Sequence, residues 1–281
     1  MEVARRLGDI ELVSIDSMQV YRGMDVGTAK PTPAERTEIR HHLLDLVAPT
    51  EEFTVADFRD AYTDALGRIG RRGQRALLVG GTGLYHRVVI DDFDLPGQWP
   101  DVRAELEADD DTAALFAQLR TLDAAATSKM EPTNRRRIIR ALEVTVGSGR
   151  PFSSFGPGVD EYPPSPVIQI GLRWPRDVLA ARIERRVLRM VDDGLVDEVR
   201  TLAPDGFSRT AAQALGYKET LAMLDGEISE DEAVAMIVTR TRQFAVRQER
   251  WFRRDPRVRW IEVEHDAVAE AAPAVIDALD A

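Results

Sequence analysis

The sequence predicts an α/β fold built on a parallel sheet. Short apolar runs rich in β-branched residues alternate with longer segments of helical periodicity. Residues 11–15 form one such run, residues 54–72 have a helical apolar period, and residues 76–79 form the next run. A strand, a helix and a strand in this order imply a right-handed crossover, so the two runs are expected to lie parallel in one sheet.

The other elements have local signals of their own. Thr54 is predicted as the N-cap of the first long helix, and Ser229 begins a later helix with the spacing of a capping box. Pro175 fits the first turn of a helix whose apolar stripe continues to Leu202. Two further strands and a closing helix complete the set: 167–172, 258–263 and the Ala-rich tail.

A change of character near Leu95 divides the chain. Leu-Pro-Gly-Gln-Trp-Pro interrupts the pattern, and residues 101–143 carry helical patterns without a convincing strand. A segment rich in Gly and Pro then leads back to strand-like sequence. The predicted organisation is a core α/β domain in two parts with a helical insertion domain between them: 1–96, 163–281 and 97–162.

Composition excludes several kinds of site. The chain has no cysteine and only four scattered histidines, which excludes disulfides, thiolate metal sites and a zinc signature. No apolar run approaches the ~18–20 residues of a membrane span, and the first residues lack the apolar core of a signal peptide. These features predict a cytoplasmic protein without a membrane partner.

The charge distribution is uneven. A net charge of −11 taken alone argues against a nucleic-acid partner, because phosphate binding relies on Lys and Arg. Six arginines nevertheless lie within residues 240–254 against one acid, and a second basic group comprises Arg135, Arg136, Arg137 and Arg140. Basic faces on an acidic protein are therefore compatible with this sequence.

Asp16 is the first candidate for chemistry. It directly follows the run at 11–15, and ligands of open α/β sheets bind beyond the carboxyl ends of strands. The Gly-Gly-Thr-Gly turn at 80–83 follows the next strand, so Thr82 is expected at the same edge. The alternatives are that Asp16 caps the next segment and that Thr82 is an ordinary turn residue.

A series of motifs occurs in order along nearly the whole chain. They begin with Asp-Ser-Met-Gln-Val-Tyr-Arg-Gly-Met-Asp-Val-Gly-Thr-Ala-Lys-Pro at 16–31 and include Leu-Val-Gly-Gly-Thr-Gly-Leu-Tyr at 78–85. The others lie at 42–47, 53–58, 137–144, 182–187, 214–219 and 247–254. With these motifs the chain resembles the tRNA dimethylallyltransferases, which prenylate an anticodon-loop adenosine.

The resemblance implies a P-loop-NTPase-like parallel sheet with a helical insertion that faces tRNA. It implies transfer of a dimethylallyl group from dimethylallyl diphosphate to N6 of adenosine 37, in tRNAs that read codons beginning with U. Mg2+ is expected to assist the diphosphate, and the partner is the tRNA anticodon stem-loop. A monomer is expected, because one tRNA can be gripped between two lobes.

The resemblance also assigns residues. Asp16 matches the general base, and the residues near the adenosine are Asp16, Ser17, Met18, Gln19 and Thr82. Arg182 and Arg186 match the diphosphate-side arginines and complete a catalytic set with Asp16 and Thr82. The predicted tRNA contacts are Arg103, Arg136, Arg137, Arg140, Gly216, Tyr217, Lys218, Arg247, Gln248, Arg250, Trp251 and Arg253.

From the residues alone, blander interpretations of these positions stay open. Arginines on a helix face are commonly just solvated, and Trp251 and Phe252 equally fit the core of the last long helix. The residues also leave a small-molecule kinase with a sheet of P-loop type as a different class of function, since a fold does not imply one function.

One part of the family pattern is not found within the 281 residues. The family begins with a strand and a Walker-type loop, Gly-Pro-Thr-x-x-Gly-Lys-Ser/Thr, which supplies backbone N–H groups, a lysine and a hydroxyl to the diphosphate and the metal. Residues 1–8 resemble the second half of the helix after that loop, so about 20 residues are expected to be missing. The chain as printed is accordingly predicted to bind diphosphate weakly, and a catalytically inactive tRNA-binding remnant is the alternative.

Overall fold

The predicted parallel sheet is present, in two pieces. The computed structural model describes residues 1–91, 93, 95–156, 158 and 161–280. One sheet has the order β2-β1-β3 and consists of β1 (Ile10–Ser14), β2 (His41–His42) and β3 (Arg75–Val79), with β1 parallel to both neighbours. The other sheet pairs β4 (Gln169–Arg173) parallel with β5 (Val258–Glu262). The predicted α/β class is therefore confirmed.

The helices occupy most of the remaining described chain. They are α1 (Glu2–Leu7), α2 (Pro33–Glu38), α3 (Val55–Arg71), α4 (Gly83–Asp91), α5 (Pro100–Ala108), α6 (Thr112–Leu122), α7 (Ala124–Ser128), α8 (Arg135–Ser148), α9 (Arg176–Asp192), α10 (Leu195–Leu202), α11 (Tyr217–Leu224), α12 (Glu230–Phe252) and α13 (Ala267–Leu279). Thr54 caps α3 and Ser229 caps α12, as predicted, and both caps are capping boxes, of which the sequence predicts the one at Ser229. None of the described helices is long and apolar enough to cross a lipid bilayer.

The prediction of one continuous helix from Pro175 to Leu202 is wrong. The chain breaks between α9 and α10 at Gly194, which has a φ of +99°. Glycine adopts this left-handed conformation without steric cost, so it can end one helix and begin another. The apolar stripe continues across the break because Val187, Leu195 and Val199 are all buried in the same core.

The chain divides into two compact units. One unit, Met1–Ile90 with Pro164–Ala281, contains both sheets. Its core surrounds β1, whose five residues are all buried, and includes Phe58 and Tyr217 with no exposed surface. Parallel strands covered on both faces are expected to be apolar throughout. Strand β1 follows this rule except at Glu11 and Ser14.

Glu11 is a buried carboxylate with two partners. Arg72 Nε donates to Glu11 Oε1 at 2.7 Å, and His42 Nε2 lies 2.6 Å from Oε2. A buried charge is tolerated when it is paired and hydrogen-bonded in this way. Hydrogen bonding from the Arg72 guanidinium, opposed by burial and assisted by His42, lowers the pKa of Glu11 to about 2.

The second unit, Asp91–Pro163, has its own hydrophobic core. Leu115, Leu119, Ile138 and Leu142 are buried where α5, α6 and α8 pack together. Glu143 of α8 is also buried, and its carboxylate accepts a hydrogen bond from the Trp99 backbone N–H at 3.0 Å. The described residues of this unit are helical or irregular.

Candidate active site

Asp16 lies just beyond the carboxyl end of β1. The residue is partly buried, and its Oδ1 accepts a hydrogen bond from the Met18 backbone N–H at 2.8 Å. Asp16 therefore does cap the turn that follows it, as the alternative from the sequence proposed. The two roles are compatible, because a carboxylate has lone pairs beyond the one that this N–H occupies.

The Gly-Gly-Thr-Gly turn meets Asp16 at this edge. The Thr82 N–H donates to Ile15 O at 3.2 Å, and Thr82 Oγ1 accepts from the Ser17 N–H at 3.1 Å. A Cβ on Gly80 would lie 2.2 Å from Ile15 O, so only glycine allows the two backbones to approach so closely. The residues following β1 and β3 therefore form one continuous surface around Asp16.

Helix α12 closes one side of this surface. Gln248 Nε2 donates to Gly81 O at 3.0 Å, and a Cβ on Gly83 would lie 2.3 Å from the indole nitrogen of Trp251. These contacts place Gln248 and Trp251 against the turn that carries Thr82. The sequence leaves open whether Trp251 is a core residue, and in the structure it is partly buried beside the glycine turn.

The same helix shows that β3 and β4 end at one edge. Gln248 contacts Gly81, just beyond β3, while its neighbour Glu249 lies 3.7 Å from Arg173 at the end of β4. The two carboxyl ends are therefore close together. The basic residues that follow β4 consequently approach the edge where Asp16 lies.

Two arginines of α9 were predicted on the diphosphate side. Arg182 stacks over Trp174, with its Cζ 4.1 Å from the ring centroid, and Trp174 directly follows β4. Arg186 lies one helical turn further on and interacts electrostatically with Asp16. Ile183 and Val187 of the same helix are buried, which turns the two arginines onto an adjoining face.

The surroundings of Asp16 favour the protonated form. Burial raises the pKa of Asp16 above the usual value, and the N–H groups of Met18 and Gln19 and the charge of Arg186 oppose that shift. Burial likewise lowers the pKa of Arg186, against the attraction of Asp16. A carboxylate with a raised pKa is a stronger base than an ordinary aspartate, which suits a group that accepts a proton.

The segment from Asp16 to Lys30 is held by side chains that the sequence did not reveal. Lys30 has a completely buried side chain, and its Nζ donates to Asp25 at 2.8 Å and to Asp45 at 2.6 Å. Glu198 of α10 accepts hydrogen bonds from the backbone N–H groups of Asp25, Val26 and Gly27, at 2.7–3.1 Å. No local signal reveals Glu198, because it lies more than 170 residues from its partners.

Gln19 is part of the same support. Its Oε1 accepts from Ser14 Oγ at 2.7 Å, and its Nε2 donates to Thr28 O at 3.0 Å. Met18 is partly buried against the core of this unit. Both ends of the Gln19 amide are thus engaged within the segment, so contact of Gln19 with an adenosine stays a prediction.

The predicted tRNA contacts of α12 separate into two faces. Arg247, Arg250 and Arg253 are exposed, while Gln248 and Trp251 face the glycine turn. Arg253 lies 3.7 Å from Glu249, and Arg247 stacks on the ring of Phe244 at 5.8 Å. The exposed face carries the charge, and the other face carries the side chains that contact the glycine turn.

Tyr217 does not lie where the sequence prediction requires it. Its side chain has no exposed surface, and its hydroxyl donates to Glu198 Oε1. Gly216 is also buried, and its N–H donates to Glu219 at 2.9 Å, whereas Lys218 is exposed. The burial of Tyr217 argues against its predicted contact with RNA, and we interpret it as a packing residue that supports Glu198.

Arginines of the second unit differ in their surroundings. Arg103 and Arg140 both pair with the buried carboxylate of Glu143, at 3.2 and 2.9 Å, so part of their charge is neutralised internally. Arg136 and Arg137 are exposed in the first turn of α8. These two arginines are the better placed of the predicted contacts in this unit to meet a phosphate.

The described residues form no group of three or more His, Cys, Asp or Glu side chains that could hold a metal ion. At this edge of the sheet, Asp16 supplies a carboxylate and Ser17 and Thr82 supply hydroxyl groups. Mg2+ is usually held by one or two carboxylates together with substrate phosphates, so the result for these clusters does not decide its role, and we derive no step of the reaction from a metal ion.

A family model and the most similar curated proteins all indicate the same protein family. A family model described as IPP transferase matches residues 19–255. A tRNA dimethylallyltransferase from Pseudarthrobacter chlorophenolicus is 47% identical over 270 residues, which are 94% of this chain and 89% of that protein. One from Kineococcus radiotolerans is 49% identical over 256 residues, with 89% of this chain and 80% of that protein covered.

A solved structure agrees with these sequence relatives. The full-length tRNA isopentenylpyrophosphate transferase from Bacillus halodurans superposes with a TM-score of 0.70 at 39% identity. The match covers 99% of this chain and 89% of that one. The similarity therefore includes the two sheets, the residues around Asp16 and the helical unit. It extends over nearly every motif of the sequence. The chain belongs to the IPP transferase family.

Proposed function

We propose that this protein transfers a dimethylallyl group from dimethylallyl diphosphate to N6 of an adenosine in tRNA. The observation that carries the proposal is the position of Asp16, a carboxylate with a raised pKa at the sheet edge where the glycine turn carries Thr82 and contacts Gln248 and Trp251. The names of the relatives supply the substrate class, and the site supplies a base for the reaction.

Asp16 acts as the general base. The exocyclic amine of adenine is a weak nucleophile, and one of its protons must leave as the new bond forms. N6 forms a bond to the allylic carbon, the bond from that carbon to the diphosphate oxygen breaks, and the proton from N6 passes to the Asp16 carboxylate. Diphosphate leaves with the bonding electron pair, so atoms and charge balance.

Arg182 and Arg186 stabilise the departing diphosphate. Negative charge grows on the bridging oxygen as the allylic carbon ionises, and fixed positive charges lower the energy of that state. Arg182 is oriented by its stack on Trp174 at the end of β4, and Arg186 is within electrostatic reach of Asp16. This arrangement supports leaving-group stabilisation on the side of the site that α9 forms.

The adenosine must leave the anticodon-loop stack to reach Asp16. By analogy with base flipping, this costs a few kcal/mol, which stacking on aromatic and arginine side chains offsets. Trp251 lies beside the glycine turn, and the Phe252 ring contacts His86 at 5.2 Å between centroids. We assign Trp251 to the wall of the adenosine pocket. The Thr82 hydroxyl holds the glycine turn to the segment after β1 by accepting a hydrogen bond from the Ser17 N–H.

The tRNA backbone is bound by exposed basic side chains. On α12 these are Arg247, Arg250 and Arg253, and on α8 they are Arg136 and Arg137. Lys218 is exposed as well. Arginine and lysine contacts to phosphate position an RNA without reading its sequence, which fits a surface that holds the anticodon stem-loop while one base is modified.

The finer features belong to the same proposal and follow from the family resemblance. They are adenosine 37 as the acceptor, tRNAs that read codons beginning with U, Mg2+ as the ion that assists the diphosphate, and a monomeric enzyme acting in the cytoplasm. The helical insertion at 97–162 is assigned to the tRNA-facing side. The proposed role of Asp16 as the base does not depend on any of these features.

The direct test is the rate of dimethylallyl transfer to an anticodon stem-loop. The assay uses the chain extended ahead of Met1 by the Walker-type strand and loop of a relative, so that the diphosphate donors of the family are present. Asp16→Asn is expected to lower kcat by about 10²–10⁴, the usual contribution of a positioned base, with tRNA affinity changed less than threefold or so.

Asp60→Asn is the matched control, because Asp60 is a well-exposed carboxylate of α3. Its rate is expected to equal that of the unsubstituted enzyme. A rate for Asp16→Asn within a few-fold of that control would show that Asp16 is not the base.

A further inference from the structure

Glu198 of α10 binds the backbone of the loop at 25–27. One carboxylate oxygen of Glu198 accepts from the N–H groups of Asp25 and Val26 at 2.8 and 2.7 Å, and the other accepts from the Gly27 N–H at 3.1 Å. Successive N–H groups that converge in this way form a concave site for an anion. Here the anion is a side chain of the protein itself, and the loop is thereby fastened to α10.

Tyr217 fixes the carboxylate of Glu198. The buried Tyr217 hydroxyl donates to Glu198 Oε1, the same oxygen that accepts from Gly27. The ring also lies against the loop, since a Cβ on Gly27 would be 2.5 Å from Cε2 of Tyr217 and 2.9 Å from Cδ1 of Leu195. Only glycine permits so close an approach. The ring and the carboxylate together leave the loop little freedom to shift.

Lys30 holds the other end of the loop. Its side chain has no exposed surface, and its Nζ donates to the Tyr21 carbonyl at 2.5 Å, to Asp25 at 2.8 Å and to Asp45 at 2.6 Å. A buried ammonium group is tolerated when its protons find acceptors in this way. The loop is therefore anchored at both ends, at one by Glu198 and at the other by Lys30.

Gln19 connects the anchored loop to the turn at Asp16. Its Nε2 donates to Thr28 O at 3.0 Å and to Ala29 O at 3.3 Å, two carbonyl groups that lie between the anchors. The Gln19 backbone N–H is hydrogen-bonded to the Asp16 carboxylate, as is the Met18 N–H at 2.8 Å. A shift of the loop consequently moves an N–H group that orients this carboxylate.

We propose that Glu198 is a positioning residue for the reaction, which holds the loop at 25–27 and, through Gln19, keeps the Asp16 carboxylate in place for the adenosine amine. The inference rests on the proposed role of Asp16 as the base. Such a role matters because an error of about 1 Å in the position of a reacting group can cost about 10²-fold in rate. The alternative is that Glu198 contributes only to the stability of the fold.

Amide hydrogen exchange on the 281-residue chain tests the connection independently of the reaction. Glu198→Gln replaces one acceptor oxygen by an NH2 group, which cannot accept from a backbone N–H. Exchange is expected to become faster by about tenfold or more at Val26 and Gly27, and by about threefold or more at Met18, because the connected backbone then opens locally.

Glu52→Gln is the matched control. Glu52 also joins two distant segments, since it accepts from the Arg209 N–H at 2.9 Å and from Thr210 Oγ1 at 3.1 Å. Its replacement removes a bond of the same kind elsewhere in this unit. Exchange at Met18 is therefore expected to stay as it is in the unsubstituted chain.

Tyr217→Phe is a milder second variant, which keeps the carboxylate of Glu198 and removes the hydroxyl that donates to it. It is expected to change exchange at the same amides in the same direction by a smaller factor, so the connection stays testable if Glu198→Gln does not fold. Exchange at Met18 that is unchanged in the folded variants, or that rises equally in Glu52→Gln, would overturn the proposal.

The rate of dimethylallyl transfer tests the consequence for catalysis, in the same assay as Asp16→Asn. Glu198→Gln is expected to lower kcat by about 10–100-fold, with KM for the stem-loop changed less than about threefold. In an Asp16→Asn background the same substitution is expected to lower kcat no further, because Glu198 acts through Asp16.

An equal fall in kcat in both backgrounds would overturn the proposal, since a residue that only stabilises the fold acts independently of Asp16. Failure of the proposed function has a different signature. Asp16→Asn would then keep the rate of the unsubstituted enzyme, and the exchange measurements would still decide whether Glu198 holds the Asp16 turn.

Discussion

Two opposing influences set the pKa of Asp16, and with it the strength of this carboxylate as a base. Burial at the end of β1 raises its pKa, while the backbone N–H groups that follow it and the charge of Arg186 stabilise the ionised form. Burial dominates. A protein that only needed a turn cap at this position would gain stability from a better-solvated or neutral residue, so the raised pKa is better explained by function than by folding.

Replacement of Asp16 by Asn is expected to stabilise the protein at pH 7. A carboxyl with a higher pKa in the folded state lowers stability as pH rises through the interval between its unfolded and folded pKa values, because the folded state holds the proton more tightly. The neutral amide avoids this loss and still accepts the Met18 hydrogen bond. The thermal midpoint of Asp16→Asn should exceed that of the unsubstituted protein at pH 7 and converge with it below pH 4. A lower midpoint at pH 7 would contradict the assignment of the shift to burial.

Glu11 has the opposite dependence on pH. Its folded pKa of about 2 lies below the usual 4.5, so its stabilising effect is complete above the unfolded value and is lost as pH falls from there through about 2. Glu11→Gln is expected to lower the free energy of unfolding by about 3 kcal/mol at pH 7, because a tenfold change in proton affinity on folding corresponds to about 1.4 kcal/mol. Denaturant unfolding at pH 7 and pH 2 measures this. A loss that is the same at both pH values would show that the ion pair is not its cause.

Single residues also mark the limit of what the sequence predicts. Asp16 and Thr82 could be located, because each directly follows a strand with a clear apolar pattern. The burial of Tyr217 could not be predicted, because the local sequence of an aromatic residue beside a lysine is the same whether the ring faces solvent or the core. Its partner Glu198 acts across the fold, and long-range contacts of this kind have no local pattern.

Helix α8 carries its charges at the less favourable end. Three arginines, Arg135 to Arg137, occupy its first turn, where the helix dipole favours negative side chains. Arg136 and Arg137 are exposed there. This arrangement costs stability and leaves positive charge available, which fits a helix that binds phosphate rather than one optimised for folding alone.

Exchange of Arg136 and Arg137 for glutamate should therefore affect stability and binding in opposite directions. The helix is expected to gain about 0.3–1 kcal/mol for each replacement, because the dipole then acts favourably. Affinity for the anticodon stem-loop is expected to fall by tenfold or more at low salt. Thermal unfolding and fluorescence anisotropy measure the two effects. Unchanged affinity for RNA would remove α8 from the proposed surface.

Elements were predicted well where the local pattern is strong. The N-cap at Thr54, the capping box at Ser229 and the buried run of β1 were located to within a residue. Helix α2 was missed, since its six residues are mostly polar and none is buried. The break at Gly194 was missed because the apolar stripe continues through it, and periodicity does not report a change of helix direction.

The whole molecule is acidic, with a net charge of −11, yet the proposed substrate is a polyanion. Binding must then rely on local basic faces, because the total charge repels RNA. The exposed side of α12 and the first turn of α8 supply such faces. Electrostatic repulsion by the rest of the surface would favour release of modified tRNA and limit binding to other nucleic acids.

The salt dependence of RNA affinity measures how many phosphate contacts the exposed arginines of α12 contribute. Each phosphate contact contributes roughly 0.7–0.9 to the slope of log affinity against log salt concentration. Replacing Arg247 and Arg250 by alanine is expected to reduce that slope by about 1–2. Arg68→Ala is the control, as Arg68 is an exposed residue in the last turn of α3, just ahead of the amino end of β3. An equal change in slope for the control would indicate a loss of general charge only.

The central claim is that Asp16 accepts the proton from N6, and the pH dependence of single-turnover transfer tests it most directly. The extended enzyme is expected to lose rate at low pH through one ionisation that lies above the usual aspartate value of 3.8, whereas Asp16→Asn is expected to be slower and to lack that ionisation. An Asp16→Asn enzyme that keeps both the rate and the pH profile of the unsubstituted enzyme would contradict the claim.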